Sequence, residues 1–434
     1  MQPAPDVQTA GAPAGSSGRV AIGIVGAGQL AKMTVQAAAT LGLRTAVLAE
    51  ARTDPAAEAA TRVIHGSPEA LPPMLELAAA SAVITFDHEQ VDLDVVREVE
   101  AQGHHVRPGS ETLTVTVDKG VMRRRFADAG IAVPGFALLG DRGDRGEPDG
   151  RGDQGGRAAG GEQDAGDGQA PGRRILAQFA AEHPGPLVLK ALQGGYDGRG
   201  VWFAEDLAAA EELAASAARH GTALLVEEAV PIAAELAVMV ARRPDGSSVV
   251  WPAVRTVQVD GICREVVVPT GLPADVEAEA AAVALNVAGE LGTLGVLAVE
   301  LFWSDGRLLV NEVAARPHNS GHWTIEGSTT SQFENHLRAI LDLPLGDPSP
   351  TAEHVVTVNV LGGPEGVDPA SRLAGALEVR GAHVHLYGKA ARPGRKLGHV
   401  TVCGTEADDV RRRAWDAAIA LGTPAFAPVV PGTT

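Results

Sequence analysis

Lys190 closes the apolar run Leu187-Val188-Leu189, and three residues later the chain reads Gly194-Gly195-Tyr196-Asp197-Gly198-Arg199-Gly200 before Val201. Four glycines in seven residues, set between two strand-like runs, make a turn whose backbone N–H groups can close over phosphate oxygens. Lys190 would aim a cation at the same oxygens. Glycines alone would suit a ligand-free hairpin equally well. Tyr196, Asp197 and Arg199 add polar side chains that a turn does not require. No G-x-x-x-x-G-K-S/T sequence occurs in the chain, so a nucleoside triphosphate would have to be held in a different fold.

A second group has metal chemistry. Glu300 lies within the apolar run Val296–Phe302, and Asn311-Glu312 ends the next run. The turn pair Asp305-Gly306 between them folds the two into a hairpin, which sets Glu300 opposite residue 311, give or take one. Two carboxylates so close repel each other unless a hard dication such as Mg²⁺ bridges them to phosphate oxygens. Two solvated acids at strand ends are the alternative. Directly downstream, Ala315-Arg-Pro-His318-Asn319-Ser-Gly-His322-Trp323-Thr324 is dense in hydrogen-bonding groups. Lys389, Arg392, Arg395 and Lys396 then concentrate four cations in eight residues of an acidic chain, which suits an anion pocket as well as a solvated turn.

The elements that must position these residues follow from the pattern. With 434 residues the chain has length for several cores. A formal charge of −18 excludes a nucleic-acid surface, which needs clustered Lys and Arg; it does not exclude anionic metabolites. Two distant cysteines, Cys263 and Cys403, in no metal spacing, imply reduced thiols and a cytoplasmic setting. No stretch is apolar enough to span a membrane. Residues 1–18, rich in Ala, Pro, Gly and Ser, are expected to be a disordered tail. Val20–Val25, Thr45–Leu48 and Ala82–Thr85, alternating with helices such as Gln29–Leu41, predict a parallel doubly wound sheet. Residues 140–174, 35 residues with twelve glycines and no Val, Ile, Leu, Met or aromatic, cannot offset their ordering entropy and are expected to be a flexible insertion. It lies between a strand at Val133–Leu139 and a helix starting near Ile175. Strands are predicted at Leu187–Lys190, Val201–Phe203, Leu224–Glu227, Glu235–Arg242, Val249–Pro252, Gly295–Trp303 and Arg307–Glu312, with a helix at Ala274–Glu290. After Pro344 come short strands (Val355–Val360, Val384–Tyr387, His399–Cys403) and a helix over Ala407–Leu421.

One motif points elsewhere. Gly23-Ile-Val-Gly26-Ala-Gly28-Gln-Leu-Ala31 follows a strand, and Glu50 falls where a ribose-binding acid would sit in a dinucleotide fold. An NAD-dependent oxidoreductase is therefore a reading to carry. A glycine turn of this kind also serves wherever backbones approach closely.

Three motifs in order, Gly194–Gly200, Arg316–Thr324 and Tyr387–Lys396, resemble the ATP-grasp superfamily and, within it, the N5-carboxyaminoimidazole ribonucleotide synthase family of purine biosynthesis. The resemblance runs from Val20 to about Leu421, the insertion apart. It implies an α/β and α+β protein in three parts. A Rossmann-like domain spans 19–117, a two-lobed ATP-grasp module 118–345, and a small β-rich domain that completes the substrate pocket spans 346–434. It further implies that Lys119 and Lys190 hold ATP, that Gly195–Val201 cover its phosphates, and that Glu227, Glu228, Ala229 and Val230 form the adenine hinge. Glu235 would contact the ribose, with Gln258, Asn311 and Glu312 completing the nucleotide site, and Glu300 and Glu312 would bind Mg²⁺ or Mn²⁺. The aminoimidazole ribonucleotide would lie against Gln29, Leu30, Glu89, Tyr196, Asp197, Arg199, His318, Asn319, Lys389, Arg395 and Lys396. On that resemblance the glycines at 23–28 admit the ribonucleotide rather than NAD. Two positions depart from the family's pattern: Gln258 stands where a His is common, and Asp87-His88-Glu89-Gln90 where Glu-Phe-Glu-Asn is usual.

The reaction implied joins bicarbonate to the ribonucleotide's exocyclic amine at the cost of ATP, through carboxyphosphate. Asp197, Arg199 and His318 are the expected catalytic residues, and a homodimer is the expected assembly. Another ATP-grasp ligase, such as a formate-dependent glycinamide ribonucleotide transformylase, is the nearest competing reading. A nucleotide-binding partner without turnover is a further one.

Overall fold

The computed structural model describes residues 20–139, 169–194 and 200–425. The tail at 1–18, most of the expected insertion, and Gly195, Tyr196, Asp197, Gly198 and Arg199 lie outside them.

The N-terminal part is a four-stranded parallel sheet in the order β3-β2-β1-β4, with β1 Val20–Val25, α1 Gln29–Thr40, β2 Thr45–Ala49, β3 Arg62–His65, α2 Leu71–Ala80, β4 Ser81–Phe86 and α3 Leu93–Ala101. Its strands are continuously apolar because both faces are covered. Ile22, Ile24 and Val47 pack toward α1, while Val25, Leu48 and Ile84 pack with Met74, Leu77, Val96 and Val99 of α2 and α3. The sequence predicted three strands. β3 adds a fourth, hidden because only Ile64 of Arg62-Val63-Ile64-His65 is buried at this sheet edge.

Next come α4 Ser110–Val117 and α5 Lys119–Asp128, then a small lobe of β5 Phe136–Leu139, α6 Gln169–Glu182, β6 Leu187–Ala191, β7 Val201–Ala204, α7 Leu207–Arg219 and β8 Leu224–Glu228. Its antiparallel sheet runs β5-β8-β6-β7, with α6 and α7 packed on one face. Helix α6 begins at Gln169, so residues 169–174 of the expected flexible insertion are helical. Pro171 in its first turn needs no N–H partner there, and the scarcity of apolar residues concealed the helix start.

The remaining strands form a single nine-stranded sheet, β14-β13-β9-β11-β12-β15-β17-β16, with β10 paired to β9. They are β9 Ala234–Arg242, β10 Ser248–Val250, β11 Val254–Val259, β12 Ile262–Val268, β13 Gly295–Ser304, β14 Arg307–Ala314, β15 His354–Leu361, β16 Ala382–Leu386 and β17 Lys396–Gly404. Helix α8 Ala274–Glu290 covers β9 and β13 through Ala280, Ala284 and Val287. Short helices α9 Thr324–Gly327, α10 Gln332–Ile340 and α11 Leu373–Leu377 follow, and α12 Ala407–Ala420 covers β15 and β17. The C-terminal strands are thus not a separate sheet. β15 pairs antiparallel with β12 from Val268↔Val355 to Glu265↔Val358.

Helix α10 joins the N-terminal part to the large sheet. Leu337 and Ile340 enter the core around Ile22 and Val47. His336, fully buried, accepts the Val296 N–H at Nδ1 (3.0 Å), so its Nε2–H donates to Thr85 Oγ1 (2.8 Å). Burial pulls the His336 imidazole down to a pKa of about 3.

Candidate active site

The hairpin β13–β14 brings the acids together as its turn residues require. Asp305 and Gly306 both take positive φ (48° and 73°), the conformation of a tight two-residue turn. Glu300 pairs with Glu312, and the register then slips so that Leu301 faces Val310. Asn311 is the extra residue of a β-bulge. A bulge re-aims adjacent side chains, and here it lets both Asn311 and Glu312 reach the site. Asn311 Oδ1 accepts from Lys190 Nζ at 3.0 Å, and Glu312 Oε1 accepts from Lys119 Nζ at 2.8 Å. Lys119 itself starts α5, whose cap Asp118 also accepts from Gln193 beside the glycine loop.

Glu227 was expected at the adenine hinge, yet its carboxylate is 2% exposed and sits between two cations. Arg123 Nε lies 2.6 Å from Oε1 and Lys190 Nζ 2.6 Å from Oε2. Burial would raise its carboxyl, but Arg123 and Lys190 outweigh that and hold it below the usual range. Burial likewise lowers the Lys190 ammonium despite the opposing pull of Glu227. Glu227 can therefore serve a nucleotide only through its backbone. Glu228 is also engaged, accepting the Gly135 N–H at 2.8 Å beside His183, and the Ala229 N–H donates to Pro186 O at 3.1 Å. Val230 follows two residues after the end of β8. Val201, across from Lys190 in the β6–β7 pair, carries the chain out of the glycine loop.

The carboxylate pair fits a dication. Burial, reinforced by the charge of Glu312, pushes Glu300 up to about 7, while Lys119 holds Glu312 below its ordinary value against burial. A hard cation between them would relieve this conflict. Among the described residues no set of three or more His, Cys, Asp or Glu side chains is arranged to hold a metal. The pair therefore suits an ion that takes its other ligands from phosphate and water, as Mg²⁺ does. Glu235 on β9 is raised to about 7 by burial, against the pull of Lys190. Gln258 lies at a bulge of the β11–β12 hairpin, opposite Cys263.

A second cluster draws on all three parts of the chain. Gln29 at the start of α1 donates from Nε2 to Asn319 Oδ1 (3.4 Å) and accepts from Lys389 Nζ. Asn319 Oδ1 also receives His322 Nε2 at 3.1 Å. With Oδ1 so engaged, the amide presents its NH₂ group. Behind it, His322, His399 and His385 stack with successive ring centroids 4.6 Å apart, and Tyr387 Oη meets His399 Nδ1 at 2.9 Å. His318 Nε2 lies 3.8 Å from Glu300 Oε1, while its Nδ1 is held by Ser320 Oγ at 2.8 Å. Burial takes His318 down to about 3, so its imidazole is neutral near pH 7. Buried Lys396 lies close enough to influence both Glu300 and His318, linking the two clusters. Glu89 accepts the Ala315 N–H at 3.0 Å and approaches Arg316 at 3.5 Å. Arg395 is exposed and donates to Ala390 O. The Leu30 side chain, 5% exposed, packs among Met33, Phe333 and Tyr387, so it can serve a ligand through its backbone alone.

The glycine turn after β1 has its own occupant. Asp87 Oδ2 accepts the Gly28 N–H and Oδ1 the Ala31 N–H (2.8 Å), so a carboxylate caps α1 where a dinucleotide would set its pyrophosphate. A Cβ at Gly28 would lie 2.4 Å from that carboxylate, and one at Gly26 2.8 Å from His88. The NAD reading falls on this point. Asp87 and Arg123 are the residues sequence reasoning missed; an acid two residues before Glu89 and a cation four residues after Lys119 were the available signals.

Three family models match the chain: a ribonucleotide synthetase preATP-grasp domain over residues 20–117, an ATP-grasp domain over 171–333, and a phosphoribosylaminoimidazole carboxylase C-terminal domain over 355–413. The N5-carboxyaminoimidazole ribonucleotide synthase of Mycobacterium tuberculosis is 45% identical over 398 residues, covering 91% of this chain and 86% of the relative. That of Corynebacterium ammoniagenes is 38% identical, covering 92% and 91%. Among solved structures, an ADP complex of an N5-carboxyaminoimidazole ribonucleotide synthetase superposes with a TM-score of 0.78 at 32% identity, covering 92% of this chain and 96% of that one. The Aspergillus clavatus enzyme in complex with ADP and 5-aminoimidazole ribonucleotide gives 0.78 at 27% identity, covering 93% and 99%.

Proposed function

The chain belongs to the N5-carboxyaminoimidazole ribonucleotide synthase family, and from that premise we propose how its residues divide the work. It is an ATP-grasp ligase that carboxylates 5-aminoimidazole ribonucleotide in purine biosynthesis, using ATP and a divalent metal. The observation that carries the division of labour is the meeting of two clusters, one of charges around Lys119, Lys190, Glu300 and Glu312 and one of amides around Gln29, Asn319 and Lys389.

Lys119 and Lys190 hold the triphosphate, with Gly195–Gly200 over it and the backbone of 227–230 along the adenine. Glu300 and Glu312 would hold Mg²⁺, or Mn²⁺ in its place, which would supply charge neutralisation for the transferring phosphoryl group. Bicarbonate attacks the γ-phosphorus and ADP leaves, giving carboxyphosphate. That intermediate breaks to CO₂ and phosphate, and the exocyclic amine of the ribonucleotide attacks CO₂ and loses a proton. Asp197 or the neutral imidazole of His318 takes that proton, and Arg199 stabilises the transferring charge. Lys389, Arg395 and Lys396 bind the ribonucleotide's phosphate, while Gln29, Glu89 and Asn319 orient it. Closing the glycine loop would keep water from carboxyphosphate.

The domain boundaries at 117 and 345, a homodimeric assembly and a cytoplasmic location belong to the same proposal. So does the lack of a nucleic-acid partner, which the charge of −18 supports. Among the described residues no helix is long and apolar enough to cross a membrane. The decisive assay measures ADP release with ATP, bicarbonate and 5-aminoimidazole ribonucleotide, omitting each in turn. Full turnover should need all three. Turnover with formate in place of bicarbonate would overturn the assignment.

A further inference from the structure

We propose that Arg123 is a positioning residue for ATP: by serving as the counter-ion of Glu227, it leaves the charge of Lys190 available to the triphosphate. The proposal rests on the reading of Lys190 as a phosphate ligand and adds a residue that no part of that reading includes.

The geometry divides one carboxylate between two cations. Oε1 of Glu227 takes Arg123 Nε and Oε2 takes Lys190 Nζ, each at 2.6 Å. Arg123 and Glu227 are almost wholly buried, and Lys190 is nearly so. Two positive charges against one negative leave a net positive charge at Lys190, the member on the strand that leads into the glycine loop. An ammonium has three N–H donors. Glu227 and Asn311 take two, so one can reach a phosphate oxygen. Without Arg123 the buried Lys190–Glu227 pair would be neutral, and at low dielectric that loss is felt strongly. Arg123 also donates from Nη2 to Asn311 O at 2.8 Å, fixing the bulge that aims the Asn311 side chain at Lys190.

The simpler account is that Arg123 merely staples α5 to β8. Substitution separates the two in the full-length enzyme. R123Q keeps a hydrogen-bond donor and removes the charge. It should raise the ATP KM and the ADP Kd by roughly tenfold or more, the scale of a lost charge-assisted contact. Adenosine affinity and the KM for the ribonucleotide should stay within about twofold, since neither ligand meets a polyphosphate cation there. Adding E227Q removes the opposing charge as well, so R123Q/E227Q should bring the ATP KM back to within about fivefold of wild type. A staple predicts no such recovery. Equal loss of adenosine binding, or a double variant no better than R123Q, overturns the proposal. K190M guards the underlying reading: if it leaves the ATP KM unchanged, Lys190 is not a phosphate ligand and the fault lies there. If R123Q does not fold, the double variant decides alone. An ATP KM within about fivefold supports the proposal and a larger loss overturns it.

Discussion

The two clusters of the site are built on opposite principles. The phosphate cluster is made of full charges, already paired with one another: Lys119 with Glu312, and Lys190 and Arg123 with Glu227. At the heart of the proposed ribonucleotide cluster are two amides and one ammonium, Gln29, Asn319 and Lys389, which come from three separate parts of the chain. The first is pre-organised by electrostatics. The second exists only when the three parts are docked. Damage to a charge should therefore appear in catalysis, whereas damage to docking should appear in stability and ribonucleotide binding together.

The largest expected effect comes from the hairpin. E300Q keeps the shape but removes one proposed ligand of the cation and should lower kcat by roughly 10²–10³-fold, the scale of losing one element of charge stabilisation. The Tm should rise or hold, because the repulsion between Glu300 and Glu312 is gone; steady-state kinetics and thermal melts read the two. A kcat within threefold would break the contrast.

K389A is next. It removes a charged donor from the amide cluster and should raise the KM for the ribonucleotide about 10- to 150-fold, with the ATP KM nearly constant. Parallel loss of ATP affinity would show that the clusters are not separate.

The smallest effect concerns docking. His336 joins β4 to β13 as a neutral imidazole with a pKa near 3, against about 6.5 in the unfolded chain. Protonation therefore favours the unfolded state. The stability it contributes is complete above pH 6.5 and falls as pH drops toward 3, by on the order of 1.4 kcal/mol per pH unit. H336N lacks this titration. The Tm gap between wild type and H336N should shrink from pH 7.5 to pH 5, and a constant gap would remove His336 from the account.

How much of this was legible before the fold differed between the clusters for the same reason. The Asp305-Gly306 turn set Glu300 opposite residue 311, give or take one, from local chemistry alone, and the register pairs it with Glu312. The identical pair Asp260-Gly261, also at positive φ, turns β11 into β12. That hairpin was missed because Arg255, Thr256 and Gln258 break up the apolar residues of its first strand. The partner of Glu227 could not be read at all. Arg123 is separated from it by most of the small lobe, and nothing local marks a buried arginine in a helix as the neighbour of a strand acid. At the glycine turn 23–28 the spacing alone left NAD open for a related reason: Gly26 and Gly28 make room for His88 and Asp87, side chains about sixty residues away.

The continuity of the large sheet has a consequence for the chain as it is made. β12 is complete at Val268, but the strand that covers its outer edge does not begin until His354. Arg411, which clasps the buried Glu265 carboxylate of β12 through both Nε (2.8 Å) and Nη2 (2.7 Å), comes later still. Throughout that stretch of synthesis, a valine-rich edge and an uncompensated acid stand open to any neighbouring strand. The ribosome-bound chain therefore passes through a stage whose open edge the finished sheet covers, and such exposed edges favour aggregation.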